Sequence, residues 1–245
     1  MIELKLRSRT SDGTVTIETV RISPSALAVI VCDMWDRHWC VGATSRVDTM
    51  APVMNSSLKR LRDVGALIIH APSDTMKFYS GSPARARAVE APMVEAGCDL
   101  TSWQRLDASF EGELPIDDSD VGCDDVPVCV IPEVMPWSRQ HPAIEIADAD
   151  AITESGQQVH NLLEQYGTEL ALIMGVHTNM CVLGRSFGIR SLVRAGRRVA
   201  LVRDLTDTMY CSRMSPFVSH EMGTQLVIQH IETHWSPSID SAELF

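Results

Sequence analysis

The chain predicts an α/β fold: three α/β/α layers around a mainly parallel central sheet of about six strands, with an N-terminal β-hairpin and one long loop insertion. Three observations carry this. Short, continuously apolar runs recur (Leu27–Cys32, Ala66–His70, Leu170–Met174, Arg198–Val202), and such runs are strands buried on both faces. Segments with apolar residues at helical spacing lie between them, the alternation of parallel crossovers. Chemically capable residues also follow two of the runs directly, Asp33 after the first and Cys181 after a tight turn, where open parallel sheets place their sites.

Taken in order, Glu3–Arg7 and Thr14–Arg21 alternate polar and apolar residues around Ser11-Asp12-Gly13. This is a hairpin signal, and residues 1–22 read as a ribbon at the edge of the sheet. Arg46–Val64 carries Val47, Met50, Val53, Met54, Leu58 and Leu61 at helical spacing and stops at Gly65. Ser82-Pro83 opens a second helix, expected to end near Gly97. Residues 98–138 show little periodicity and are acidic; a loop this long is usually a lid or an interface. Its Asp-rich run lacks the spacing of a calcium loop. Ala149–Thr153 reads as a short strand and Ser155–Tyr166 as a helix ending at Gly167. A helix opening near Asn179 runs to Ala195-Gly196, with Thr178 and Asn179 as N-caps. The tail holds a helix around Gly223–His234 and a short last strand in SPSI. The whole, residues 1–245, reads as a single domain.

Composition narrows the function. A net charge of −11 argues against nucleic acid and anionic membranes as partners. No apolar run approaches the ~18–20 residues needed to span a bilayer, and the N-terminus has no apolar region of signal-peptide type. Seven cysteines at irregular spacing make a poor disulfide framework, so a reducing, cytoplasmic setting is expected, with Cys123 and Cys129 the one pair close enough to watch. No C-x-x-C motif or phosphate-binding glycine loop occurs, so neither a zinc knuckle nor a nucleotide cofactor is implied.

The chemistry concentrates in two stretches. Leu27–Asp33, LAVIVCD, delivers a carboxylate at a strand end. Leu172–Arg194, LIMGVHTNMCVLGRSFGIRSLVR, is a strand, a tight turn and a helix with Cys181 in its first turn. Unpaired N–H groups there favour a thiolate and can hold an oxyanion. Between Asp33 and the first helix, Trp35, Asp36, His38, Trp39 and Cys40 crowd one loop. Asp36 and His38 invite a divalent metal such as zinc, but a metal needs three or four ligands and only two are local, so no cofactor is expected.

AVIVCDMWD and LIMGVHTNMCVLGRSFGIRSLVRAGRRVALVRD together resemble the isochorismatase-like cysteine hydrolases, which include nicotinamidases and N-carbamoylsarcosine amidohydrolases. The resemblance covers about Ala26 to Asp204 apart from the long loop. It implies a Rossmann-like fold, a dimer or tetramer, a small-molecule substrate, and a triad of Asp, Lys and Cys. Asp33 would be base and acid, and Cys181 the nucleophile. The oxyanion would meet the N–H groups of Met180 and Cys181, after a cis peptide at Val176–His177. Trp35, Asp36, His38, Lys77, Thr178 and Met180 would face substrate. The metal-binding loop of some family nicotinamidases corresponds to His70-Ala71-Pro72-Ser73-Asp74, which does not repeat its ligands. The lysine is missing too: its region, Asp150–Gly156, has no Lys or Arg and places Glu154 there. Lys77, Arg139, His38 or His177 could replace it. Arg139 is favoured because it closes the insertion just before the third core strand, and it would act as a fixed charge. Arg185, Arg190 and Arg194 read as the polar face of a helix.

Three functions follow. The first is hydrolysis of a small amide, carbamoyl or ureido C–N bond through a thioester. The second is an isochorismatase-type enol-ether hydrolysis using Asp33. The third, motivated by the absent lysine, is a non-catalytic binding or scaffold role.

Overall fold

The computed structural model describes residues 1–245. Eight strands form one sheet: β1 (Ile2–Arg9), β2 (Val15–Ile22), β3 (Leu27–Cys32), β4 (Leu67–Ala71), β5 (Ala151–Ile152), β6 (Leu170–Val176), β7 (Val199–Asp207) and β8 (Ser238–Ile239). Their order is β2-β1-β8-β7-β6-β3-β4-β5. The block from β8 to β5 is parallel, and the hairpin joins its edge through an antiparallel pairing of β1 with β8. This is the α/β architecture the sequence implies, with the hairpin as two extra edge strands.

The central strands are apolar, but for His70 in β4, because both faces are covered, and every residue of β3, β4 and β6 is buried. One face packs on α1 (Val41–Asp63) through Val47, Met54, Leu58 and Leu61. The other packs on α4 (Gly156–Gln165), α5 (Ile189–Arg194) and α6 (His220–His234). The remaining helices are α2 (Pro83–Glu90) and the one-turn α3 (Ala108–Glu111). No helix is long and apolar enough to cross a membrane.

Two helices differ from expectation. The second ends at Glu90, not near Gly97, because Ala91 precedes Pro92 and adopts the extended backbone such residues prefer. The helix expected from Asn179 to Ala195 is broken into a π-turn (Thr178–Val182), a tight turn and α5. Glycines at both ends of that turn allow it: a Cβ on Gly184 would meet the Trp103 ring at 2.6 Å, and one on Gly188 the Val182 carbonyl at 2.8 Å. Thr178 and Asn179 are not caps, since His177 is the N-cap residue. The Thr178 hydroxyl pairs with that of Thr206 at 2.7 Å, and Asn179 binds the Asp118 carboxylate and the Met209 carbonyl.

The insertion is mostly irregular, and buried carboxylates within it and beyond its end help hold it. Glu111 accepts from Arg190 Nε and Nη2 at 2.8 Å, from His230 at 2.9 Å and from Trp235 at 2.7 Å. Asp150 accepts from Arg62 Nε and Nη2 and pairs with His70. These bonds outweigh the desolvation that opposes them and hold both carboxyls down at about 2. An unfolded chain would protonate Glu111 near 4.5 and Asp150 near 3.8. It therefore takes up protons that the folded chain refuses, so stability falls as pH drops through the window between those values and about 2. Urea midpoints should decline from pH 5 to pH 3. Glu111→Gln should be less stable at pH 7 and show a shallower decline; an unchanged slope would mean that Glu111 does not titrate with folding.

Candidate active site

β3 and β6 are neighbours, with Cys32 opposite Gly175. Gly175 has a φ of +112°, and a Cβ there would lie 2.0 Å from the Cys32 carbonyl oxygen. Only glycine lets the two strand ends come this close. The chains leaving them carry Asp33 and Cys181.

Asp33 is fully buried and holds a φ of +47°, an uncommon backbone conformation for a residue with a side chain. Its Oδ1 accepts from the Ser73 N–H at 2.7 Å, after β4, and its Oδ2 from Arg185 Nε at 2.9 Å. The Cys181 thiol faces the same carboxylate. Asp33 therefore lies between a thiol and a guanidinium, with three segments meeting at the C-terminal edge of the sheet.

The positive charge is Arg185, a residue whose spacing in the sequence predicts the polar face of a helix. The signal for it was its spacing: four residues after Cys181, it sits one turn on, with its N–H on the Cys181 carbonyl at 3.0 Å. Its side chain lies over the Trp103 ring, 5.4 Å from the centroid, and reaches toward Asp74 at 3.9 Å. Arg139 stands elsewhere, half-exposed, 3.9 Å from Asp36 and 5.5 Å from the Phe78 ring centroid. Lys77 is exposed on its loop. Neither imidazole is cationic, because burial depresses His38 to about 4 and His177 to about 3.

The Cys181 thiol is pushed well up, not down. Burial is the largest cause and the Asp33 carboxylate the next; Arg185 and the His177 N–H oppose them without prevailing. The turn's dipole does not arm the thiol in advance. The resting site holds a neutral thiol beside a carboxylate, an acceptor in place for its proton.

The turn after β6 contains the cis peptide Val176–His177. The Met180 N–H is bonded to the His177 carbonyl at 3.0 Å and so is not free for an oxyanion. The N–H beside the sulfur is that of His177.

The remaining expected residues are dispersed. Trp35 is buried, donates to the Ser73 carbonyl at 2.9 Å and stacks on Trp137 with ring centroids 4.2 Å apart. Asp36 caps the end of the insertion by accepting from Ser138 and Arg139. His38 accepts from the Cys40 N–H and lies edge-on to His177 at 5.0 Å. Asp36 and His38 belong to no group of three metal-ligating side chains. Thr178 is committed to Thr206, and Met180 packs between the main core cluster that includes Cys181 and a small cluster of Cys40, Ala43, Cys123 and Met209.

A cavity of about 170 Å³ opens beside the guanidinium. Ser73, Asp74, Thr101, Ser102, Trp103, Glu154, Arg185 and Ser186 line it, so its wall is polar. Ser73 and Arg185, the two groups that hold Asp33, form part of this wall, while Asp33 and Cys181 themselves do not line it. Glu154, read from the sequence at the missing lysine's position, faces the same space.

No family profile and no curated protein matches the sequence. Solved structures do match. The fold is similar to a cysteine hydrolase from Pseudomonas syringae pv. phaseolicola 1448A, with a TM-score of 0.53 and 18% identity over 91% of this chain and 92% of that one. It is also similar to an isochorismatase from Pseudomonas putida KT2440, with a TM-score of 0.53 and 14% identity over 93% and 94% of the two chains. The chain thus has the isochorismatase-like fold that its two motifs imply.

Proposed function

We propose that this chain is a cysteine-dependent hydrolase of a small amide, carbamoyl or ureido compound. The observation that carries the proposal is the convergence of Asp33, Cys181 and Arg185 at the C-terminal ends of adjacent parallel strands. The fold shared with a solved cysteine hydrolase and an isochorismatase supports it.

The chemistry follows from the groups in place. Asp33 takes the thiol proton as the Cys181 sulfur attacks the carbonyl carbon. The developing oxyanion meets the His177 N–H. Collapse of the adduct expels the amine, which takes the proton back from Asp33 and leaves a thioester. Asp33 then accepts a proton from the water that resolves the thioester, and Cys181 regains it. Arg185 stays protonated throughout, so it balances charge at Asp33 and moves no proton. A small cavity with a polar wall suits a substrate rich in hydrogen-bonding groups.

Cys181→Ala should lower turnover of any amide the wild type hydrolyses by about 10³-fold or more. Hydroxylamine added during wild-type turnover should divert acyl groups to hydroxamate by intercepting the thioester. Full turnover by Cys181→Ala would end the proposal.

A further inference from the structure

Where the loop that follows Asp33 meets α1, four potential ligands gather that the proposed reaction does not use. Cys40 precedes α1, while Cys123, Asp125 and Cys129 come from the insertion. Their sulfur and carboxylate oxygen atoms all lie within 4.8 Å of one another. Cys123 and Cys129 form a disulfide here, and Cys40 is a buried free thiol. We propose that, once the disulfide is reduced, Cys40, Cys123, Cys129 and Asp125 form a site for a divalent metal ion of the zinc type.

The donor set suits that ion. Three thiolates and a carboxylate make four ligands, the number a closed tetrahedral zinc site takes, and thiolates select soft or borderline metals over magnesium or calcium. Metal–sulfur bonds of about 2.3 Å put tetrahedral sulfur atoms ~3.8 Å apart, so the reduced pair needs only to separate locally.

The surroundings orient the ligands. The Asp125 carboxylate is fixed by the Val41 N–H at 2.7 Å and the Gly42 N–H at 2.9 Å, and each oxygen keeps a further lone pair. The Cys40 sulfur accepts from the Ala43 N–H at 3.4 Å, a bond that a thiolate strengthens. Gly42 allows the insertion to dock this close, since a Cβ there would lie 2.5 Å from Asp124 Oδ1. A divalent ion with three thiolates and a carboxylate leaves a net charge of −2 by addition of their formal charges. The Cys40 thiol donates to Asp124 Oδ1 at 3.4 Å, so a second carboxylate borders the site, and of the two nearby arginines one is already paired with acids. Arg46 binds Asp124 at 2.6 Å and Asp207 at 2.9 Å, and Arg213 reaches the carbonyls of Cys123 and Asp125 at 3.3 and 3.4 Å.

The chemistry balances in two steps. A dithiol or phosphine reductant supplies two electrons, the S–S bond breaks, and two protons make two thiols. The metal ion then displaces three thiol protons and forms three metal–sulfur bonds and one metal–oxygen bond. The bound metal would tie the insertion to the start of α1 and to the loop carrying Trp35 and His38.

The test uses the whole chain, reduced with a phosphine, desalted and titrated with Co²⁺ alone. One equivalent per chain should give thiolate-to-cobalt charge transfer in the near ultraviolet and the visible bands of a tetrahedral ion. One equivalent of Zn²⁺ should abolish both. The oxidised wild type should show neither, a comparison that needs no substitution. Cys40→Ser and Asp125→Asn should each weaken binding at least ~10-fold with an unchanged far-ultraviolet spectrum. Absence of the bands in reduced wild type, or equal affinity in Cys40→Ser, would overturn the site.

Discussion

Asp33→Asn is expected to lower turnover by about 10²–10⁴-fold while making Cys181 more reactive toward iodoacetamide. The two effects have one cause. Asp33 is the proton acceptor in the proposed reaction, and an amide cannot take that proton. Its negative charge is also one of the two main reasons the resting thiol sits well above its usual range. Asparagine removes the repulsion and leaves Arg185, which favours the thiolate. The labelling profile against pH should therefore shift to lower pH while turnover is lost. Alkylation of Cys181, resolved by peptide mass spectrometry, is the measurement. The substitution also leaves a largely buried guanidinium without its partner, so thermal unfolding should be followed on the same sample. Turnover lost with labelling unchanged or slower would mean that the carboxylate does not control the thiol.

The fold was legible because a strand buried on both faces must be largely apolar, and β3, β6 and the first half of β7 are apolar throughout, with β4 interrupted by His70 alone. Asp33 and Cys181 were legible for a related reason: each is a chemically distinct residue just past such a strand. Arg185 was harder to see. An arginine on an amphipathic helix is usually solvated, and only its four-residue spacing from Cys181 marked it. The break before α5 hid it further, since the turn depends on Trp103 filling the space beside Gly184, a contact made from a distant part of the chain. The direction of the thiol shift was not legible either. A cysteine at a helix start suggests stabilised thiolate, and what reverses this is burial beside a carboxylate more than a hundred residues earlier. The disulfide pair was visible as a spacing, but Cys40 and Asp125 join it only through the docking of the insertion on α1.

Arg185→Ala is expected to cost the enzyme both its activity and part of its stability. The pair with Asp33 is charged, close and largely removed from water, with the Asp33 side chain fully buried and that of Arg185 23% exposed. Removing one member of such a pair costs about 3–5 kcal/mol when burial is complete, and the partial exposure of Arg185 puts this case toward the lower end. The carboxylate left behind keeps the Ser73 N–H and the Cys181 thiol beside it but loses the guanidinium bonded to Oδ2. The thiolate that forms as Asp33 takes the proton then lacks the nearby charge that favours it, so turnover should fall about as far as in Asp33→Asn. Thiol reactivity should not rise, because the charge that favours the thiolate is gone. That divergence in labelling separates the two variants even when their activities are equally low. Arg185→Lys keeps the charge but loses the planar fork and its contact over Trp103, so it should retain an intermediate activity. The decisive comparison is Glu154→Lys in the Arg185→Ala background. Glu154 lines the same cavity, on the loop where the resemblance expects a lysine. A cation entering from that loop should restore part of the lost turnover if the site needs positive charge beside Asp33 and not the arginine itself. Arg185→Ala with wild-type turnover would remove the guanidinium from the mechanism, and failure of both lysine variants to recover any activity would tie the site to the guanidinium's geometry.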